Sequence, residues 1–338
     1  MRKVTAMKKL LLSFLFILGF AALVDAKIWR VNNNAGVPAD FTTAQAAHNG
    51  AGAGDTLHFE PSPTSYGGIT MAKRLVLIGV GDFLDINSNN QATNVTARLD
   101  GIDIRAGADN STIMVSALYL NLVNVQGVII QRCNVISRSA VYIQYDAFSS
   151  IWVENASNTI IRNCFLSESG IHISGSTNVQ IINNIMADFV FMRSASSATI
   201  MNNVINGKTV TDANSIQNAT VRNNIFSKST TFSCSSCVVE NNIASANILP
   251  AGNGNQNNVD MTTVFNNPNT YVDKAFQLKP GSPAIGAGVG GVDAGAYGGI
   301  SPYHLSVQPN IPAIYKLVAP AVVTGSTMTV TISTKSNN

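Results

Sequence analysis

The phrase RCNVI at residues 132–136 returns five times along the chain, as RNCFL (162–166), INNIM (182–186), MNNVI (201–205), RNNIF (222–226) and ENNIA (240–244). Each copy contains a polar pair, most often Asn-Asn, and a short apolar run. When the second residue of the pair sets the register, the copies fall at Asn134, Cys164, Asn184, Asn203, Asn224 and Asn242. A repeat of about 20 residues predicts a solenoid with one coil per copy.

The repeats favour β-strands over helices. A helical repeat needs apolar residues at positions i, i+3, i+4 and i+7 over about a dozen residues, and none of the six copies has that pattern. In a β-solenoid, equivalent residues stack in columns about 4.8 Å apart, so identical amides can hydrogen-bond from coil to coil. The sequence therefore predicts an internal ladder formed by Asn134, Asn184, Asn203, Asn224 and Asn242.

The N-terminal residues 1–26 have the layout of a secretory signal peptide. Lys8 and Lys9 precede an apolar run from Leu10 to Leu23, and Val24 and Ala26 supply small residues before a cleavage point. The run is short for a membrane span, although an N-terminal anchor is the alternative. We therefore expect a secreted protein, at the cell surface, in the periplasm or outside the cell, with no stable membrane span after cleavage.

The basic pI of the chain comes largely from this leader. The chain has 21 Lys and Arg against 18 Asp and Glu, and residues 1–26 contain four of the basic and one of the acidic residues, which leaves 17 of each. A formally neutral chain lacks the clustered positive charge that nucleic-acid binding requires, so no nucleic-acid partner is expected. Asn is abundant, at 38 residues, and hydrogen bonding of this kind suits sugars.

The four cysteines fall into two pairs. Cys234 and Cys237 are close enough to form a disulfide across a turn, although a CxxC of this kind is also compatible with redox activity or half of a metal site. No second CxxC or His pair completes a zinc set. Cys133 and Cys164 occupy different members of their polar pairs, so we expect them to point to opposite faces and not to bridge.

The start of the chain resembles a known fold family. A short helix is predicted over Phe41–Asn49, with Asp40 or Thr42 as its N-cap, and it would cover the open end of the solenoid core. It is followed by AGDTLHFEP (53–61) and ITMAKRLVLIGVG (69–81), which resemble the opening coils of right-handed parallel β-helix proteins with the pectin-lyase-like fold.

A second resemblance lies near the other end of the chain. Residues 276–299, FQLKPGSPAIGAGVGGVDAGAYGG, are similar to the closing segment of secreted bacterial β-helix proteins, with Gly286 and Gly298 in place of acidic residues. The resemblance implies an all-β, right-handed parallel β-helix over residues 27–300. The Pro-punctuated residues 301–338 contain one strand pattern at Thr327–Thr334 without a partner in sequence, and form an added edge strand, a cover for the last coil or a flexible tail.

One outward face is the best candidate for a site. The strand patterns AVYIQ, GIHIS and VFMRS alternate so that Tyr142, Gln144, His172, Phe191 and Arg193 point outward from neighbouring coils. The longest insertion, residues 145–158, is read as a loop that carries Asp146, Trp152 and Glu154. Aromatic rings stack on sugars, while Arg and His contact hydroxyls or carboxylates. The predicted binding residues are Tyr142, Gln144, Trp152, His172, Phe191 and Arg193; outward aromatic residues that merely cover the backbone are the alternative.

The sequence contains no complete catalytic motif. Glycoside hydrolysis requires two carboxylates about 5–10 Å apart, for which Asp146, Glu154 and Glu168 are candidates, with His172 or Arg193 assisting proton transfer. The adjacent Asp pair of polygalacturonases and the dense acidic cluster of pectate lyases are both missing. Asp103 and Arg105 are predicted to form a surface ion pair. Asp85, Asn87 and Asn89 alternate oxygen ligands as in a Ca²⁺ loop but lack its Gly and terminal Glu, so no cofactor is assigned.

These observations predict a secreted β-helix protein that interacts with a polysaccharide or glycoconjugate. A polysaccharide lyase or glycoside hydrolase acting on an acidic polysaccharide is one alternative. A structural or adhesive cell-surface protein is the other, because Asn-rich coils of low charge are sufficient for that role. The sequence leaves the oligomeric state open.

Overall fold

A computed structural model describes residues 26–86, 95–136, 149–167, 170–187, 190–193, 196–207, 216–229, 231–267, 270–320 and 325–336. Within these ranges the chain folds into a parallel β-helix. Each complete coil adds one strand to each of three sheets, and the strand pairings of all three sheets are parallel. The predicted fold class is confirmed.

The longest stack is sheet A, and it contains ten strands. In spatial order they are β1 (Ile28–Val31), β2 (Thr56–Phe59), β4 (Val76–Ile78), β7 (Thr112–Met114), β10 (Ile129–Gln131), β13 (Ile160–Arg162), β16 (Val179–Ile182), β19 (Ala198–Met201), β22 (Ala219–Arg222) and β25 (Val238–Glu240).

Sheet B has six strands, namely β3 (Gly68–Met71), β6 (Gly101–Ile104), β9 (Leu120–Val123), β12 (Ser149–Glu154), β15 (Gly170–Ser174) and β18 (Val190–Arg193). A parallel pair, β21 (Ile216–Gln217) and β24 (Cys234–Ser235), follows β18 along the same side. Sheet C has eight two-residue strands, namely β5 (Arg98–Leu99), β8 (Ser116–Ala117), β11 (Asn134–Val135), β14 (Phe165–Leu166), β17 (Ile185–Met186), β20 (Val204–Ile205), β23 (Ile225–Phe226) and β26 (Ile243–Ala244).

A short helix covers part of the first coil, as predicted, but its cap differs. The helix spans Ala44–Gly50, and the Thr43 hydroxyl accepts a hydrogen bond from Ala46 N at 3.3 Å. Asp40 is not the cap, because its carboxylate instead accepts a hydrogen bond from Arg30 N at 2.8 Å. The helix lies beside β3, where Gln45 Oε1 accepts from Thr70 N.

A buried amide ladder runs through the coils. Asn184, Asn203, Asn224 and Asn242 each accept hydrogen bonds at Oδ1 from the backbone N–H of the preceding rung, at 2.9–3.0 Å. From Asn184 onward, each Nδ2 also donates to Oδ1 of the following rung, and Asn255 extends the ladder by one rung beyond the prediction. The ladder therefore satisfies buried backbone groups that water cannot reach.

Asn134 does not belong to this ladder. It is paired with Phe165, one position past Cys164, and its Nδ2 donates to the Asp82 carboxylate at 2.6 Å. Extending the strand pairing back from Asn134 places Cys133 opposite Cys164, so the expectation that these cysteines point to opposite faces is wrong. Both are buried free thiols that interact with each other; burial first, and then the Cys164 thiol, raises the pKa of Cys133.

The residue before each rung, and before the equivalent positions Cys133 and Cys164, lies in the left-handed region. The φ angles are between 52° and 58° for Arg132, Asn163, Asn183, Asn202, Asn223 and Asn241. Asn tolerates this conformation better than most residues, which explains its preference at this turn.

These left-handed residues also hold the C-terminal strap, which we define as residues 286–308. Asn241 Nδ2 donates to Ala287 O, Asn202 Nδ2 to Asp293 O, and Asn163 Nδ2 to Ser301 O, at 2.8–3.0 Å. The strap therefore runs back along the solenoid, and Arg132 contacts its end by donating to Gln308 O at 3.0 Å. These contacts continue past the predicted boundary at residue 300.

Beneath the strap lies a second hydrophobic core. The outward side chains of sheet C, from Phe165 through Ile185, Val204 and Ile225 to Ile243, are buried against residues that include Phe276, Ala284 and Ala294. The outer face of sheet C is thus covered by the chain itself.

The C-terminal residues form an antiparallel hairpin. Its strands are β27 (Ala313–Val318) and β28 (Thr331–Lys335). The predicted C-terminal strand extension is present, but the expectation that its strand lacks a partner in sequence is wrong, because β27 supplies one. A second short helix, Met261–Val264, and three short 3₁₀ turns, Asp273–Phe276, Val289–Gly291 and Leu305–Val307, complete the described secondary structure.

Candidate functional site

Sheet B carries the aromatic and charged candidates that lie within the described residues. The strap covers sheet C, whereas a column of half-buried residues on sheet A is mostly aliphatic or Thr, as at Thr112, Ile129 and Ile160. On sheet B, strand pairing places six residues at equivalent positions of successive strands, which are Thr70, Asp103, Asn121, Trp152, His172 and Phe191. This column is the centre of the candidate site.

Trp152 and His172 form the most specific contact on this face. Their rings are stacked with centroids 3.8 Å apart and planes 1° from parallel. His172 is 1% exposed, whereas Trp152 is half-buried, so the indole covers the imidazole. Trp152 Nε1 donates to the Glu154 carboxylate at 3.2 Å, which restricts rotation of the indole.

A polar cluster lies on the next two strands, β9 and β6. The Asp103 carboxylate accepts hydrogen bonds from Arg105 at 2.6 Å, from Asn121 at 3.0 Å and from Tyr119 at 3.5 Å. The predicted ion pair between Asp103 and Arg105 is therefore confirmed. Gly101 is required beside it, because a Cβ at this position would collide with the Tyr119 ring.

The structure corrects the position of Trp152 and Glu154. They do not lie in a loop, because both belong to β12 and are in register with His172 and Ser174 on β15. The strand beside β15 is therefore Ser149–Glu154, where sequence analysis had placed the pattern AVYIQ (140–144) next to it.

Several predicted residues cannot be located. Tyr142, Gln144, Asp146 and Glu168 lie outside the described residues. Phe191 and Arg193 are described as backbone only, and β18 places them in register with His172 and Ser174.

The sequence pattern did not assign Tyr119 and Asn121 to the site. It also did not place Asp103 and Arg105 near Trp152. The available signal was the alternating pattern of DIR at 103–105 and LYLNLV at 118–123. That pattern gives the outward side chains of each strand, but only the pairing of β6 with β9 and of β9 with β12 brings them together.

The site shows no metal-binding cluster. Among the residues that the structure describes, no group of three or more His, Cys, Asp or Glu side chains is arranged to hold a metal ion. Of the suggested Ca²⁺ loop, Asn87 and Asn89 lie outside the described ranges.

The described carboxylates on this face are engaged by protein donors. Asp103 and Glu154 are two strands and two residues apart, which corresponds to about 12 Å between their backbones. Each accepts a hydrogen bond from a neighbouring side chain. This arrangement is better suited to orienting hydroxyl groups than to the closely facing acid and base of a retaining glycosidase.

The second cysteine pair lies on the same side of the solenoid. Cys234 and Cys237 form a disulfide across the turn between β24 and β25, with their Cα atoms 5.9 Å apart. A bonded pair of this kind fits a structural role better than half of a metal site.

Comparison with known proteins adds no relative. No protein-family model matches the chain. A search of curated protein sequences finds no match either. In the described part of the chain, helices are too short to span a bilayer.

Proposed function

We propose that this protein is exported and binds a polysaccharide or glycoconjugate on the outer face of sheet B. The observation that carries the proposal is the Trp152–His172 stack, which lies next to Glu154 and to the Asp103–Arg105–Asn121 cluster on a sheet face that the strap leaves uncovered. An aromatic ring flanked by fixed hydrogen-bonding groups is typical of a site for amphipathic rings such as sugars.

The context of the site supports this proposal. The chain after residue 26 is formally neutral and rich in Asn, so polar recognition depends on hydrogen bonds. The parallel β-helix is also the architecture that the segments 53–61, 69–81 and 276–299 led us to expect. We further propose that the fold is right-handed and pectin-lyase-like, and that the protein is of the secreted bacterial type.

Two carboxylates on this face keep an enzyme as the second candidate. Asp103 and Glu154 lie on either side of β9, so a glycan seated between them would contact both. A lyase or hydrolase would release unsaturated or reducing ends, whereas a binding protein would retain the polymer unchanged.

The experiment is affinity electrophoresis of the purified protein through gels that contain neutral or acidic polysaccharides, with assays for released ends. We expect retention in at least one gel, loss of retention in Trp152→Ala, and normal retention in Thr199→Ala, a control on the outer face of sheet A. Released ends that disappear in Glu154→Gln would establish the enzyme. No retention and no cleavage with any polymer would overturn the proposal and favour a structural or adhesive role.

A further inference from the structure

The outer face of sheet B contains a trough along β9. Its outward residues, Asn121 and Val123, have short side chains, whereas the neighbouring strands carry Asp103 and Arg105 on one side and Trp152 and Glu154 on the other. Because adjacent strands are about 4.8 Å apart, the two walls stand on strands about 9.6 Å apart. We call this trough the β9 slot.

One wall of the slot is an indole face. Trp152 stacks on His172, which belongs to β15, so the opposite face of its ring is directed toward β9. Asn121, the neighbour on that side, directs its Nδ2 away from Trp152 to Asp103. A ring in van der Waals contact with the indole would lie about 4 Å from it and would fill the space up to the Asp103–Arg105 wall.

The floor of the slot has an unused acceptor. Asn121 Oδ1 is buried and has no hydrogen-bond partner. Its assignment as oxygen follows from the other amide atom, which faces a carboxylate and must therefore be the donor nitrogen. An unpaired buried acceptor is costly, so a ligand that donates an O–H or N–H group would satisfy this atom once the side chains that cover it move aside.

The charges of the slot exclude a preference for anions. Asp103 and Glu154 supply two carboxylates and Arg105 supplies one guanidinium, which is paired with Asp103. No unpaired cation is present among the described side chains of the walls to bind a uronate carboxylate. The slot is therefore unlike a site for an acidic polysaccharide.

We propose that the β9 slot binds a single uncharged pyranose ring, a neutral hexose or N-acetylhexosamine unit of a glycan. The ring stacks on the face of Trp152 that is directed toward β9 and, as the side chains that cover Asn121 Oδ1 move aside, donates one hydrogen bond to that atom. The inference rests on the proposed function, and it replaces the acidic polysaccharide of the sequence-based alternative with a neutral one.

The two tryptophans of the chain provide a direct assay. In Trp29→Phe, the remaining indole is Trp152, so its fluorescence reports on the slot. This protein is titrated with cellohexaose, mannohexaose, chitohexaose and hexagalacturonate. We expect a fluorescence change with at least one neutral oligosaccharide, none with hexagalacturonate, and a Kd that is unchanged between about 50 and about 500 mM NaCl because no charge pair forms.

Matched variants test the floor of the slot. Loss of one hydrogen bond predicts that Asn121→Ala weakens binding about five- to tenfold, whereas Thr199→Ala, on the outer face of sheet A, changes it less than about twofold. Trp152→Ala, measured by calorimetry, is expected to weaken binding about 30-fold or more. Circular dichroism melting of each variant verifies folding; if Asn121→Ala fails to fold, Asn121→Ser replaces it.

The outcomes separate the two proposals. Binding of hexagalacturonate alone, binding that weakens with salt, or neutral binding unaffected at Asn121 would overturn the neutral-ring inference while the glycan-binding function stands. Absence of binding to all four oligosaccharides, together with no retention by any polymer, would overturn both.

Discussion

Asn203 occupies an inner rung of the ladder and shows what one residue contributes to the coil stack. Its Oδ1 accepts from Asn184 N and Nδ2, and its Nδ2 donates to Ile181 O and Asn224 Oδ1. Asn203 is fully buried, so no water can replace these bonds. Asn255 makes the equivalent contacts at the last rung but is half-buried.

Because Asn203 is more deeply buried than Asn255, we expect substitution of the inner rung to cost more stability than substitution of the last rung. Asn203→Ala is expected to lower the free energy of unfolding by about 3 kcal/mol or more, because several buried groups lose their partners, and Asn255→Ala by about 1 kcal/mol. Urea denaturation of both variants measures the difference. Equal losses would show that the ladder is not the source of the stability.

The ladder also shows how far the residue pattern is predictive. Repetition of Asn-Asn predicted the rungs from Asn184 to Asn242, because a buried amide column restricts the residue type. The predicted rung at Asn134 was wrong. In this copy, RCN, the position equivalent to the rungs is one residue earlier, at Cys133, and only strand pairing shows this. The role of the first Asn in holding the strap depends on a segment distant in sequence, so the repeat could not reveal it.

At the scale of the element, the strap is held where glycine permits close approach. Gly295 has φ of 87°, and a Cβ there would lie 2.6 Å from Ile225 Cδ1. Gly281 has a similar φ of 77°, but nothing lies within 4 Å of its Cβ position. Alanine substitutions at these two glycines therefore distinguish the cost of a left-handed alanine from the cost of a steric clash.

We expect Gly281→Ala to destabilise the protein by about 1–2 kcal/mol, the cost of a left-handed alanine. Gly295→Ala adds a clash with the second core, and we expect about 1–3 kcal/mol more. Thermal unfolding of the two variants provides the measurement. Equal destabilisation by the two substitutions would show that the strap packs loosely at Gly295.

Asp55 stabilises the first coil through hydrogen bonds to its carboxylate. Its buried carboxylate accepts hydrogen bonds from Lys27 N, Trp29 Nε1 and Gly52 N at 2.7–2.9 Å. Burial alone would raise the pKa of Asp55, but these hydrogen bonds outweigh it and hold the pKa below its ordinary value of 3.8.

A lowered pKa predicts acid sensitivity of this coil. The stabilisation is fully present above the ordinary pKa and is lost as the pH falls through the lower value of the folded protein. We expect Asp55→Asn to be less stable by about 1–3 kcal/mol at pH 7, and the gap to wild type to narrow below about pH 4. Denaturation from pH 7 to pH 2.5 checks this; a constant gap would contradict it.

Element order was predictable and strand pairing was not. AVYIQ (140–144) and SIWVE (150–154) both alternate as an outward-facing strand should, and either satisfies the local pattern. The choice depends on which segment pairs with both β9 and β15, and that is a tertiary property. For the same reason, the sequence supplied Trp152 and His172 as candidates but not their stacking.

At the scale of the whole molecule, the proposed signal peptide and the first coil of the fold adjoin at Lys27. Its N–H donates to Asp55 Oδ1 at 2.9 Å, and its carbonyl accepts from Thr56 N at 2.8 Å, which adds the start of the chain to sheet A. The proposed signal cleavage after Ala26 would convert this amide into an ammonium group. The same position would then form a hydrogen-bonded ion pair with the Asp55 carboxylate, in which the donor is charged as well as the acceptor.

Cleavage at this bond should therefore tighten the first coil. A protein that begins at Lys27 is expected to be more stable by about 1 kcal/mol than one that begins at Ala26, in which Lys27 N remains an amide. The two proteins are compared by urea denaturation, each also with Asp55→Asn. If the ammonium binds Asp55, the substitution abolishes the difference; equal stability of the two Asp55 proteins, or a difference that survives in Asp55→Asn, would show that the new terminus does not bind there.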